Sequence, residues 1–172
     1  VSELNGYARS ICPYLSVEAV VETAGYSGGR LIAYPNVIEL ECGLQRSAAA
    51  AENAERLSRE FLVAVGALSG AIDAPRHHPL SVFRLEKQIP KPPAEEYEVL
   101  VDNFERVAEG EAFAEADGET LRSDVPFYPV LLSAYGYRNV FGYVGSLVGR
   151  LDGESTVTPT GEESARAESG PR

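Results

Sequence analysis

Apolar and polar positions along this chain mark one long helix, a series of short strands and two stretches punctuated by proline and glycine. Leu4, Ala8 and Ile11 fall on one side of a short helix over residues 4 to 12, and residues 17 to 24 alternate loosely, as a strand does. Gly28 and Gly29 break any period and make Tyr26 to Arg30 a loop, after which a brief apolar run, Leu31 to Tyr34, stops at Pro35. From Asn36 to Gln45 the pattern predicts a buried strand. Alternation puts Ile38, Leu40 and Cys42 on one face and Val37, Glu39 and Glu41 on the other. Its end is expected at Glu41, beside a turn at Gly43, whose backbone takes angles that other residues avoid. An acid at the carboxyl end of a strand, next to a glycine turn, stands where open α/β sheets place their ligands. The alternative for Glu41 is an ordinary solvated acid.

Ser47 is placed to cap a helix from about Ala48 to Leu68, with Ala54, Leu57, Phe61, Val65 and Leu68 as its apolar stripe and Gly70 near its end. That helix is expected to cover a core. Pro75 and Pro79 then punctuate residues 73 to 79, the expected boundary between an α/β part, residues 1–74, and a β-rich part, residues 80–151. In the second part strands are expected over Ser81 to Gln88, over Tyr97 to Phe104 with Tyr97, Val99 and Val101 on one face, and from Gly110 to an Asp117-Gly118 turn. Ile89-Pro-Lys-Pro-Pro93 reads as a stiff extended connector. Val125 to Ser133 reads as a strand with irregular ends, and residues 152–172, almost without apolar side chains, as a disordered tail. The fold class is therefore α/β, then β.

A chain of 172 residues buries one respectable core or two small ones. Its formal charge of −11 argues against nucleic acid, whose phosphates demand Lys and Arg, and against an anionic membrane surface. Only Lys87 and Lys91 are lysines, so the cations are almost all arginine. Abundant acid with scarce lysine fits a halophile-like medium of high ionic strength, where screening suppresses self-repulsion. No run reaches the ~18 apolar residues that span a bilayer. With no signal-peptide pattern, Cys12 and Cys42 are expected as free thiols in a reduced, cytoplasmic protein. The first residue is Val rather than Met, so the chain is expected to be a piece of something longer or a literal reading of a non-standard start codon.

Among candidate sites, His77-His78 lies between prolines with no carboxylate at ligand spacing, and reads as linker. Tyr135, Tyr137, Phe141 and Tyr143 lack the interleaved cations of a base-stacking platform and read as packing. Arg30, in a glycine loop closely preceding the Glu41 segment, is either a surface arginine or a bidentate clamp for a substrate carboxylate.

Tyr26-x-x-x-Arg30-Leu-Ile-Ala-Tyr-Pro35, followed by Ile38-Glu-Leu-Glu-Cys-Gly-Leu-Gln45, resembles the second half of the catalytic domain of the succinylglutamate desuccinylase/aspartoacylase family. Phe127-Tyr-Pro-Val130 and the later Tyr137 are similar to that family's Tyr-Pro-Val motif and the tyrosine after it, and Tyr97 to Gly118 resembles its C-terminal β-domain. The resemblance covers most of residues 5 to 150. It implies the C-terminal part of a carboxypeptidase-like α/β zinc-hydrolase domain, followed by a small β-rich domain. It also implies a zinc-dependent hydrolase that cleaves an acyl–amine or related ester bond in a small carboxylated, acyl-amino-acid-like substrate. On that mapping Glu41 is general base and acid, taking a proton from zinc-bound water and returning it to the leaving amine. Arg30 pairs with a substrate carboxylate, Tyr26 supplies a hydroxyl, and Tyr137 supplies another from the C-terminal domain. The sequence departs from the family at three points. The family's zinc ligands, a His-x-x-Glu pair and a later His, have no counterpart in residues 1–172. The spacing between Tyr34-Pro35 and Glu41 is shifted by one residue, and Leu44 stands where a proline is common in the aspartoacylase branch. The resemblance therefore implies zinc ligands outside this chain and little activity in the segment alone. The rival expectations are a non-catalytic binding or assembly module and a truncated relic of such an enzyme.

The charge pattern generates a first prediction. The urea midpoint is expected to rise as KCl goes from about 0.1 M to about 2 M, as self-repulsion is screened. A midpoint that falls or stays level would remove the high-salt reading.

Overall fold

The computed structural model describes residues 1–70 and 79–152 and the backbone of 157–159. The chain divides into two units, Val1–Phe83 with Val148–Arg172, and Arg84–Leu147. Among the described residues the class is mixed α/β, with helices α1 (Gly6–Ile11) and α2 (Ala48–Ala64). The strands are β1 (Ala19–Glu22), β2 (Leu80–Pro90), β3 (Tyr97–Val99), β4 (Ala112–Ala116), β5 (Glu119–Arg122), β6 (Tyr128–Val130), β7 (Val140–Leu151) and β8 (Val157–Pro159). One sheet runs β1-β2-β7-β6 with β8 also paired to β7, and a second runs β3-β4-β5.

In the first unit each helix begins on a side-chain cap. Asn5 accepts from the Ala8 N–H at 2.9 Å, and Ser47 accepts from the Ala50 N–H at 3.0 Å. Helix α2 ends earlier than its apolar stripe predicts. Gly66 takes a φ of 74° and donates to the Val63 carbonyl, while the Ala67 N–H returns to the Leu62 carbonyl, a Schellman closure. Leu57 is buried against Ile11 and Leu15 with Phe61 alongside, but Val65, the C-cap, and Leu68 lie past the last helical residue and are exposed. A second cluster gathers Val1, Leu4, Ala8, Cys12, Val20, Leu80, Val82 and Leu151.

The strand expected to carry Glu41 is not formed, since residues 37–42 belong to no strand. A strand needs a neighbour that faces its N–H and C=O groups, and none of the described strands lies alongside. The alternation of side chains survives without the ladder. Ile38, Leu40 and Cys42 pack against the cluster around Leu57, while Glu39 and Glu41 are exposed.

The second unit is built on edge-to-face aromatic packing. Phe113 meets Phe127 at 5.8 Å and Phe141 at 6.4 Å, and Tyr97 meets Phe141 at 5.5 Å. Tyr97, Val99 and Val101 all pack against this cluster, as their alternation requires. Asp117 (φ 49°) and Gly118 (φ 79°) form the two-residue turn of a type I′ hairpin joining β4 to β5. Gly145 lets β7 approach β6, because a Cβ there would come within 2.6 Å of Val130.

His77-His78 and most of the expected boundary lie outside the described residues. The tail expected to be disordered holds strand β8, registered Gly149↔Pro159 to Leu151↔Val157, and the rest of it apart from Asp152 lies outside the described residues. Among the described residues no helix is long and apolar enough to cross a membrane.

Both cysteines are free, and burial pushes the Cys12 thiol up to about 11. The thiolate is the nucleophile, so at pH 8 roughly one Cys12 in a thousand is reactive. Iodoacetamide at pH 8 is therefore expected to add one label to the native protein, at the half-buried Cys42, and two after unfolding. Intact mass spectrometry reads the count, and rapid double labelling of the native protein would contradict the Cys12 burial.

Candidate functional site

Tyr26, Arg30 and Glu41 lie in the first unit and Tyr137 in the second. The loop bearing Tyr26 and Arg30 is tied down by its own backbone and by one serine. A 3₁₀ turn over Ala24–Tyr26 is closed by the Tyr26 N–H on the Thr23 carbonyl at 2.7 Å. Ser27 is buried, and its hydroxyl reaches the Ala24 carbonyl at 3.1 Å and the Ser2 hydroxyl at 2.9 Å. Its carbonyl accepts the Arg30 N–H at 3.0 Å. Gly29, at φ 74°, turns the chain so that Arg30 comes out exposed and opens a second 3₁₀ turn, Leu31–Ala33. In the apolar run only Ile32 is buried; Leu31 is 73% and Tyr34 67% exposed. Tyr26 is half-buried.

Glu41 is held from the other side by α2. Asn53 Nδ2 donates to the Cys42 carbonyl at 3.1 Å, and Arg56 in turn donates to Asn53 Oδ1 at 2.9 Å. Arg56 also pairs with Glu60 at 3.3 Å, and Glu60 accepts the Ser16 N–H at 2.6 Å. This polar row fixes the backbone immediately after Glu41, and Gly43 takes φ 115° to turn away toward the Ser47 cap. Reading α2 as a hydrophobic cover missed it. The signal lay in the spacing of Asn53, Arg56 and Glu60 at three and four, which puts them on one helix face.

The Glu41 carboxylate and the Arg30 guanidinium are both exposed, and no ion pair joins them. A solvent-facing carboxylate can take up and release a proton, and a guanidinium free of a carboxylate can grip one from outside. Tyr137 is half-buried, with its ring edge-on to Tyr143 at 6.2 Å and its carbonyl accepting the Lys91 ammonium at 2.7 Å. Among the described residues no group of three or more His, Cys, Asp or Glu side chains is placed to hold a metal ion, so these residues do not fit a zinc site. Comparison with known proteins adds no assignment: no family model and no curated protein matches this chain.

The Asn53 row has a measurable consequence. Asn53→Ala is expected to cost about 1 kcal/mol and to speed amide exchange at residues 43 to 46, because the Cys42 carbonyl and Arg56 both lose a partner. Arg30→Ala and Glu41→Gln should stay within about 0.5 kcal/mol of the parent, since both side chains are exposed. Urea titration and exchange mass spectrometry test the contrast. Destabilisation by Glu41→Gln comparable to that of Asn53→Ala would make Glu41 a structural residue.

Proposed function

We propose that this chain belongs to a zinc-dependent hydrolase of the succinylglutamate desuccinylase/aspartoacylase type, acting on an acyl–amine or related ester bond in a small carboxylated substrate. The observation that carries the reading is the ordered set Tyr26-x-x-x-Arg30, Glu41-x-Gly43-x-Gln45 and Tyr128-Pro-Val130 before Tyr137, combined with the exposure of Arg30 and Glu41, two charges of opposite sign. The β-rich second unit and the inward face of Ile38, Leu40 and Cys42 support the reading, while residues 37–42 form no strand. In this reading Glu41 holds the proton given up by an attacking water and passes it to the leaving nitrogen. Arg30 grips a substrate carboxylate through two parallel N–H···O bonds. Tyr26 and Tyr137 supply hydroxyl donors. The zinc ligands that such an enzyme needs are not among the described residues.

The coding DNA upstream of the Val1 codon gives the direct test. It is expected to encode, in frame, His-x-x-Glu and a second His. In a protein carrying both, Glu41→Gln is expected to lower kcat on the order of 10²- to 10⁴-fold with zinc content unchanged. Arg30→Ala should act mainly on KM. A frame that closes at once, or one that stays open without those ligands, would overturn the hydrolase reading and leave a binding module.

A further inference from the structure

Lys91 is one of two lysines in the chain, and its surroundings are unusual for an ammonium. Pro90 and Pro92 flank it and restrict the backbone on both sides. Its own N–H donates to the Asn139 carbonyl at 3.0 Å, which ties this segment to the loop before β7. From that fixed start Nζ donates to the Ala134 carbonyl at 2.6 Å and to the Tyr137 carbonyl at 2.7 Å. It also stands 4.9 Å from the centre of the Tyr97 ring and 5.5 Å from that of Phe141. Among the described residues no carboxylate pairs with it. Burial lowers its pKa from the ordinary lysine value, while the two carbonyl dipoles and two ring faces favour the charged form. An ordinary surface lysine keeps its head in water. This one spends two of its three donors on a single loop, and one acceptor is the backbone of Tyr137 itself.

We propose that Lys91 is the positioning residue for Tyr137, its ammonium bridging the carbonyls of Ala134 and Tyr137 and so fixing where the phenol stands. The bearing of this on catalysis rests on the role proposed above for Tyr137. The clasp adds to the other ties of this loop, among them the Tyr97 N–H on the Tyr135 hydroxyl at 3.3 Å. The Ser133 N–H on the Phe141 carbonyl at 2.8 Å and the Gly136 N–H on the Ser133 hydroxyl at 2.9 Å close its base, whereas Tyr135 is 72% exposed and Arg138 and Asn139 are exposed. An arginine would not reproduce the arrangement, because both carbonyls bind one nitrogen rather than the separated nitrogens of a planar fork.

The test begins on the unaltered chain. With only Lys87 and Lys91 present, a lysine ammonium ¹H–¹⁵N spectrum has two candidates, and Lys87 is exposed. Lys91 is expected to give a signal protected from solvent exchange and moved upfield by the two rings. In Lys91→Met, amides 134 to 139 are expected to exchange at least tenfold faster and the Tyr137 ring protons to lose the shift imposed by Tyr143, with the β4–β5 hairpin unchanged. An unprotected Lys91 ammonium in the parent chain overturns the proposal whether or not the variant folds. So does a Lys91→Met protein in which Tyr137 keeps its ring shift. In a hydrolytically competent form, assayed with N-succinyl-L-glutamate, Lys91→Met and Tyr137→Phe should lower kcat/KM by similar factors, and the double variant no further. If Tyr137→Phe alone leaves turnover unchanged while the ring and amide signals respond to Lys91→Met, the role of Tyr137 fails and the clasp stands as geometry.

Discussion

The pairing of β2 with β7 is the constraint on which two of the hydrophobic clusters depend. The two strands lie about fifty residues apart in the chain, and each supplies apolar side chains to both clusters. Leu80, Val82 and Leu151 join the cluster of Val1, Leu4 and Val20, and Ile89 and Phe141 join that of Phe113 and Phe127. Non-local pairing of this kind is entropically costly to form, so it stands only where burial follows at once. Here β2 buries Leu80, Val82, Phe83, Leu85 and Ile89, and Gly145 of β7 stands where β6 comes close. Replacing Gly145 would drive a side chain into Val130 and separate β7 from β6.

Away from those strands, much of the chain is irregular, and side chains satisfy the backbone groups that ladders would otherwise pair. Asn53 takes the Cys42 carbonyl, and Asn103 takes both the N–H and the carbonyl of Leu132, as a strand neighbour would. Asp117 accepts the N–H groups of Glu95 and Glu96, and Lys91 gathers two carbonyls of the Tyr137 loop. Buried or half-buried backbone groups need partners. A fixed polar side chain on a helix or on a proline-stiffened segment is an economical source of them. Each candidate residue stands beside such a tie: Arg30 after Ser27, Glu41 before the Cys42 carbonyl, Tyr137 above Lys91. The side chains presented to solvent are thus separate from those that hold the chain in place.

Much of this was legible in local pattern. Ser47 as a cap, the Asp117-Gly118 hairpin, the shared face of Tyr97, Val99 and Val101, and the inward set Ile38, Leu40 and Cys42 follow from residue type and spacing. The candidate residues Tyr26, Arg30, Glu41 and Tyr137 were legible as types in a motif order, and the exposure of Glu41 followed from its place in the alternation. The ties beneath them were not legible. Asn53, Ser27 and Lys91 sit among ordinary polar residues, and nothing in their neighbours along the chain announces an acceptor 11, 3 or 46 positions away.

The sequence by itself determined which side of each segment turns inward, because burial follows the period of apolar residues, and where tight turns fall, because only certain residues accept their dihedral angles. Tertiary structure alone decided whether an inward-facing segment becomes a strand. Residues 37–42 have the alternation but no neighbour to pair with, whereas residues 157–159, in a tail almost without apolar side chains, pair with β7. It also decided where α2 stops. Its apolar stripe runs on through Val65 and Leu68, and the left-handed turn at Gly66 ends the helix before the stripe does. The physical reason is common to these cases. Side-chain burial is set by local periodicity, whereas hydrogen-bond partnership and the place where a chain must turn depend on segments distant in sequence.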